Sequence, residues 1–443
     1  MAQGTPSRPC GTAMVKRKRV PLGKARARRK AAAEEEAEGA DVESDVESAA
    51  EREAGGPRSE EEDAFFETAD EKRVRLAKEY LGRLGEERAP EQVQEQLARD
   101  REEQERRTKV QVEDLVLGEP RFLKGHKGTA TCVCLSSDES TLYSGGKDCA
   151  VLRWDVETGK KDVFAGGKNR FECGGHFDRV MSVCLVEERQ LLLSAGIDRV
   201  VRLWDPRTPP KTPCIEKLMG HTGYISALAA DPDGMQAYSA SMDKSLKVWD
   251  LRTRKVRDTL FGHVAGISCM DLYYKGRPLT GSVDKTARLW KLDKDTHLMF
   301  SRHTYAVDAV AVLDFDRFVS GSQDGSLLLW SHTSKKPLAA ASVGSGCWVT
   351  ALGAIRRGNV AFSGSVDGKL HTWRFPRNGD EDKSLQWTPV GAPVQAPGCI
   401  NAIAVGRRLI ACAVGKEHKF GRWFYNSRQR DGVMLVPMSY RES

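Results

Sequence analysis

An acidic residue followed six positions later by a tryptophan recurs through the C-terminal three quarters of the chain. The pairs are Asp148/Trp154, Asp198/Trp204, Asp243/Trp249, Asp284/Trp290, Asp324/Trp330 and Asp367/Trp373, with Glu417/Trp423 as a seventh that carries Glu for Asp. Seven of the nine tryptophans take part, and successive ones stand 50, 45, 41, 40, 43 and 50 residues apart. A fixed period of that size describes one small unit that cannot bury its apolar face alone and must stack on copies of itself.

With Gly-His early and Trp-Asp late in the unit, the pattern resembles the WD repeat, from Glu119 to about Pro437. Seven units imply an all-β fold, a seven-bladed β-propeller in which each blade is a four-stranded sheet. Four positions recur together: His126, Ser144, Asp148, Trp154; His176, Ser194, Asp198, Trp204; His221, Ser239, Asp243, Trp249; His263, Thr280, Asp284, Trp290; and His303, Ser320, Asp324, Trp330. The resemblance implies a hydrogen-bonded relay inside each blade. The chemistry suits that role, because a carboxylate in a tight turn between buried strands costs several kcal/mol unless paired, and His, Ser and indole N–H are donors. A catalytic His-Ser-Asp set is the rival, but a nucleophile site is built once and this set recurs five times. Unit six offers Gly346-Cys347-Trp348 in place of Gly-His, and unit seven lacks both His and Ser, so both relays are expected to be broken.

In unit three the strands are expected at Ile225 to Ala229, Ala237 to Ala240, Leu246 to Trp249 and Lys255 to Leu260. Arg121 to Leu123 precedes the first Gly-His and is expected to complete blade seven, hiding two sheet edges; Val433 to Val436 competes for that place. Longer inserts, Gly159 to Gly174, Pro206 to Pro213 and Pro376 to Gly398, separate some units and are either contact loops or tolerated insertions.

No apolar run reaches the eighteen or so residues of a membrane span, and no apolar segment follows the N-terminal basic cluster as a secretion signal would; a soluble, unsecreted chain is expected. Eleven cysteines lie scattered without a CxxC pair, which suits buried reduced thiols better than zinc. No phosphate loop, metal cluster or lone nucleophile stands out, so neither an enzyme nor a cofactor or small-molecule substrate is expected. The formal charge of +7 divides unevenly. Residues 1–118 hold 23 Lys+Arg against 28 Asp+Glu, and residues 119–443 hold 46 against 34. The basic part is the repeat domain, which favours a polyanionic partner.

Residues 1–63 read as a disordered basic-then-acidic tail. Lys16, Arg17, Lys18 and Arg19 with Arg28, Arg29 and Lys30 form a two-part basic cluster of the nuclear-import type, with RNA contact or plain solvation as alternatives. The acidic block Glu34 to Asp63 holds Ser44, Ser48 and Ser59, open to acid-directed phosphorylation or simply solubilising. Residues 64–118 read as a helical extension. Thr68 and Glu71 make a capping box, Leu76, Ala77, Tyr80, Leu81 and Leu84 follow at helical spacing, and Pro90 opens a second helix whose thin apolar edge runs through Val93, Leu97, Val110, Leu115 and Val116. The propeller then occupies 119–443.

Around the Asp turns stand Lys147, Arg199, Lys244, Lys285 and Lys416, and around the Gly-His turns Lys127 and Arg179. On one face these would form a broken basic ring suited to phosphates, or ordinary solvated turns. Trp348 could stack on a base, though core burial fits it as well.

Two strings are more specific than the repeat. Glu67-Thr-Ala-Asp-Glu-Lys-Arg-Val-Arg-Leu-Ala-Lys-Glu-Tyr-Leu81 and Gly415-Lys-Glu-His-Lys-Phe-Gly-Arg-Trp-Phe424 resemble the U3 small nucleolar RNA-interacting WD-repeat family, also called the ribosomal RNA-processing protein nine family. The likeness runs from about Phe65 to the C-terminus. It implies a nucleolar, non-catalytic component of the U3 box C/D ribonucleoprotein. Such a protein binds the box B/C motif of the RNA beside a small kink-turn-binding protein and acts in the small-subunit processome on pre-18S ribosomal RNA. Lys416, His418, Lys419 and Arg422 are its candidate contacts, against the alternative that the string only builds the last blade. The rival class is a protein-only nuclear adaptor of chromatin or of a ubiquitin ligase.

Overall fold

The computed structural model describes residues 112–442 apart from 165–173, 209–213, 273, 275, 345, 376–386, 422 and 424. The basic cluster, the acidic block and the helices expected before residue 112 lie outside the described residues.

Seven separate antiparallel sheets follow one another along the chain, as seven units require. Unit three shows why the pattern folds this way. Its strands are Ile225–Ala230, Gln236–Ser241, Ser245–Asp250 and Lys255–Phe261, each within a residue or so of the expected limits. The middle two carry apolar residues toward both neighbouring blades, whereas Lys255–Phe261 is largely exposed and edge-protected by Lys255 and Arg257. The apolar core is accordingly shared out between successive blades. Ile225, Leu228, Ala237 and Trp249 of blade 3, for example, pack on Leu193, Val201 and Leu203 of blade 2.

Each innermost strand opens with a β-bulge, seen as a register shift at Ala130/Cys132, Val180/Ser182, Ile225/Ala227, Ile267/Cys269, Val307/Ala309, Val349/Ala351 and Ile400/Ala402. The bulged residue faces the next blade across the channel wall. Thr131, Ser226, Ser268 and Thr350 donate their hydroxyls to Val180, Ile267, Val307 and Ile400 carbonyls, and the Asn401 amide donates to the Ala130 carbonyl at 3.0 Å. These bonds tie blade to blade. At the two remaining bulges stand Met181 and Asp308.

Blade 7 is completed by Arg121–Leu123 as expected, but departs from the expectation in three ways. Its third strand is Gly432–Glu442, paired with Leu409–Gly415, so Val433 to Val436 and Arg121–Leu123 do not compete: the first is the third strand and the second pairs outside it. The Glu417/Trp423 match is accidental. Trp423 belongs to no strand and is 65% exposed, and the place opposite Ile410 that corresponds to the blade tryptophans is filled by Val436. Val112–Leu117, expected at the edge of a helix, is a strand antiparallel to the far end of Gly432–Glu442. A register shift between Glu113 and Val116, with Asp114 at φ +48°, puts Val112, Leu115 and Leu117 into one apolar cluster and leaves Val116 exposed, and the unpaired edge of an eleven-residue strand supplies the partner a short helix would lack.

Candidate nucleic-acid interface

The frame of the face is the relay. In blade 1, His126 Nε2 lies 2.7 Å from Ser144 Oγ, its Nδ1 lies 3.1 Å from the Asp148 carboxylate, and the Trp154 indole N–H donates to Ser144 Oγ at 2.7 Å. Blades 2 to 4 repeat it: His176 to Asp198 at 2.7 Å, His221 to Asp243 at 2.9 Å, His263 to Asp284 at 2.8 Å, with Trp204, Trp249 and Trp290 donating to Ser194, Ser239 and Thr280. Burial pushes the Asp243 carboxyl up, but donors from His221 and Ser245 outweigh it and hold the group well below the usual carboxylate range. Asp284 is held down likewise by His263 and Thr286.

Blade 5 corrects the expectation of a complete relay. His303 keeps Ser320 at 2.6 Å, and Trp330 keeps Ser320 at 2.8 Å, but His303 Nδ1 meets Ser326 Oγ at 3.1 Å. Asp324 turns instead to the Thr304 hydroxyl at 2.7 Å and the Ser326 N–H at 2.9 Å. Burial with no carboxylate bonded to it lowers His303 to about 4. Blade 6 retains the Trp373 to Ser363 bond at 2.8 Å without a relay histidine.

The relay also places the two turn sets on one face. The N–H of the residue after the histidine donates to the Asp in blades 1, 3 and 4: Lys127 to Asp148 at 2.9 Å, Thr222 to Asp243 at 2.9 Å, Val264 to Asp284 at 3.1 Å. The residue after each Asp sits in the left-handed region, with φ of +64° at Arg199, +70° at Lys244 and +68° at Lys285, where blades 5 and 6 use Gly325 and Gly368. Left-handed backbone disfavours any residue with a Cβ, and it aims these three side chains outward. Lys127, Arg199, Lys244 and Lys285 are exposed and Arg179 is half-buried. The basic arc thus spans blades 1 to 4.

Blade 7 brings its own feature to this face: the connection from Gly415 to Gly432, which stands where the other blades have their Asp turn. The Lys416 N–H donates to Asp431 at 2.9 Å and its ammonium lies 3.8 Å from the same carboxylate, which also accepts from the Thr129 hydroxyl of blade 1 at 3.0 Å. Lys147 is not a surface cation. Its ammonium is buried, donating to the His418 carbonyl at 2.7 Å and lying 3.3 Å from Glu417. His418 is likewise fully buried; burial, then the Lys419 and Lys147 charges, lower it to about 3. Both were expected on the surface, and both instead pin the loop to blade 1. Lys419 lines the mouth of the central channel. Arg422 lies outside the described residues.

Above His418 the side chains form an aromatic platform. Trp348 packs edge-on to His418 at 6.0 Å and against Trp423 at 6.3 Å, and His418 meets Phe420 at 5.5 Å. Trp348 is half-buried, and Trp423 and Tyr425 are exposed. Sequence reasoning assigned Trp423 to a strand and so missed it here. The loop's other anchors, Thr129, Asn401 and Asp431, carried no sequence signal. The bulge residues of blades 1 to 5 did carry one, standing five places after each relay histidine.

The WD domain, G-beta repeat family matches residues 119–155, 167–205, 212–250, 254–291 and 295–331, the five units that have a relay histidine. Those five segments are WD repeats. Homologues cover most of its length. U3 snoRNP-associated protein-like EMB2271 of Arabidopsis thaliana is 27% identical over 90% of this chain and 91% of its own, and U3 small nucleolar RNA-interacting protein 2 of Homo sapiens is 28% identical over 84% and 82%. Among solved structures, the crystal structure of RRP9 WD40 repeats superimposes with a TM-score of 0.67 at 25% identity, over 74% of this chain and all of that one.

Proposed function

We propose that this protein is a non-catalytic, RNA-binding component of the U3 box C/D small nucleolar ribonucleoprotein, working in the nucleolus on pre-18S ribosomal RNA. The observation that carries the reading is the likeness to proteins named for U3 association over four fifths or more of the chain. The face described above supports it chemically. Structured RNA is read through its backbone, its 2′-hydroxyls and unpaired bases that stack on aromatic rings. The arc Lys127, Arg199, Lys244 and Lys285 offers exposed cations on one face, and the blade 7 loop offers the Lys416 charge and the exposed Trp423 ring. The partners are then the box B/C motif, a small kink-turn-binding protein already seated on it, and the small-subunit processome.

Crosslinking in nuclear extract tests the reading: the full chain should crosslink to U3 RNA, and binding should weaken steeply with salt. The triple variant R199A/K244A/K285A should bind less tightly, and its log-log salt slope should fall by roughly one unit for each phosphate it no longer neutralises. Capture of proteins after nuclease treatment with no RNA crosslink would replace this reading with the protein-only adaptor.

A further inference from the structure

The channel mouth beneath the blade 7 loop is polar and holds one acid and one base. A cavity of about 190 Å³ is lined by the bulge residues Thr131, Ser226, Ser268, Thr350 and Asn401, with Asp308 and Lys419 as its only carboxylate and ammonium among the described residues. Asp308 occupies the bulge of blade 5, where four other blades carry a hydroxyl that donates to the next blade. An ionised carboxylate has no proton to donate, so Asp308 leaves that ring and accepts from the Gln323 amide at 2.8 Å instead. Its side chain is almost fully buried, and a buried carboxylate with one neutral donor calls for a cation.

Lys419 reaches the channel from above. Its N–H donates to Asn401 Oδ1 at 2.8 Å, and its ammonium lies 5.1 Å from the centre of the Phe420 ring. The cavity it lines is bordered by the bulge residue of each of the seven blades, Asp308 among them. Lys419 therefore stands over the channel, in the same cavity as Asp308.

We infer that Lys419 is a positioning residue, whose ammonium, facing Asp308 across the channel mouth, draws the start of the 416–431 loop down over the channel and so fixes the platform of Trp348, His418 and Trp423. Its bearing on RNA rests on the function proposed above; the positioning itself does not. Phosphate contact is left to Lys416 and the outer arc.

Amide hydrogen exchange on the full, RNA-free chain tests it. Lys419→Met and Asp308→Ser should each speed exchange within residues 416–431 by about tenfold or more, the double variant should add little to the faster single one, and Lys419→Arg should keep the loop protected. Asp308→Asn serves if the serine variant folds poorly. RNA binding is measured alongside. Unchanged loop exchange in Lys419→Met together with weakened RNA binding would make Lys419 a direct contact and overturn the inference, as would faster exchange spread through blade 5 and absent from the loop. Wild-type protein that binds no RNA but shows the expected exchange would sink the RNA reading and leave the positioning role standing.

Discussion

In blade 3 the Asp243 carboxylate is met by His221, by the N–H of Thr222 at 2.9 Å, by the N–H of Ser245 at 3.0 Å and by the Ser245 hydroxyl. Every one of these partners comes from the same blade. At the same corner of blade 7, Glu417 and the His418 carbonyl are met by Lys147, and Asp431 by Thr129, both from blade 1. One arrangement is a self-contained frame that can be copied from blade to blade. The other exists only after the ring has closed, which makes it specific to one place and frees its outer surface for a partner.

Damage inside the frame should do the most harm. Asp243→Ala leaves buried His221 with only the Ser245 hydroxyl at 3.3 Å in place of its carboxylate and should cost about 3–5 kcal/mol, read as a drop in the denaturation midpoint; Trp249→Ala should cost a similar amount through its cavity. Asp324→Ala should cost roughly half as much, because His303 already uses Ser326; equal losses in the two aspartate variants would show that the His–Asp contact is not what matters. Lys147→Met should cost about 2 kcal/mol, with the change in protease sensitivity confined to the 416–431 loop and the blade 7 to blade 1 seam.

A weaker signature is a pH dependence that is strongest in the incomplete blades. Neutral, buried His303 and His418 are held at about 4 and about 3, below the ordinary value near 6.5. The unfolded chain therefore binds protons first as pH falls. Stability is full above pH 6.5 and declines as the pH drops toward 4. His303→Gln should flatten part of that decline; an identical slope in the variant would show that His303 does not stay neutral in the fold.

The basic arc and the first six blades were legible because their signals are local. Arg199, Lys244 and Lys285 follow their Asp directly, and the tryptophan of each blade lies on the strand that leaves the same turn. The loop over blade 7 was legible only as a string. Read by spacing alone, Trp423 was placed in a strand and Lys147 and His418 on the surface, since nothing in the neighbouring residues says that Lys147 folds under the loop.

The repeating frame could be read from the chain alone, because its partners sit at separations that recur: 22 residues from His126 to Asp148, 18 to Ser144, 10 from Ser144 to Trp154. How the ring closes, and what lies on it, came only from the folded arrangement. Lys147 and His418 are 271 residues apart, Thr129 and Asp431 302, and Val112–Leu117 finds its partner strand at the other end of the chain. A contact made once, between distant segments, leaves no period to read; its residues acquire their roles when closure buries a charge beside the one group able to pair with it.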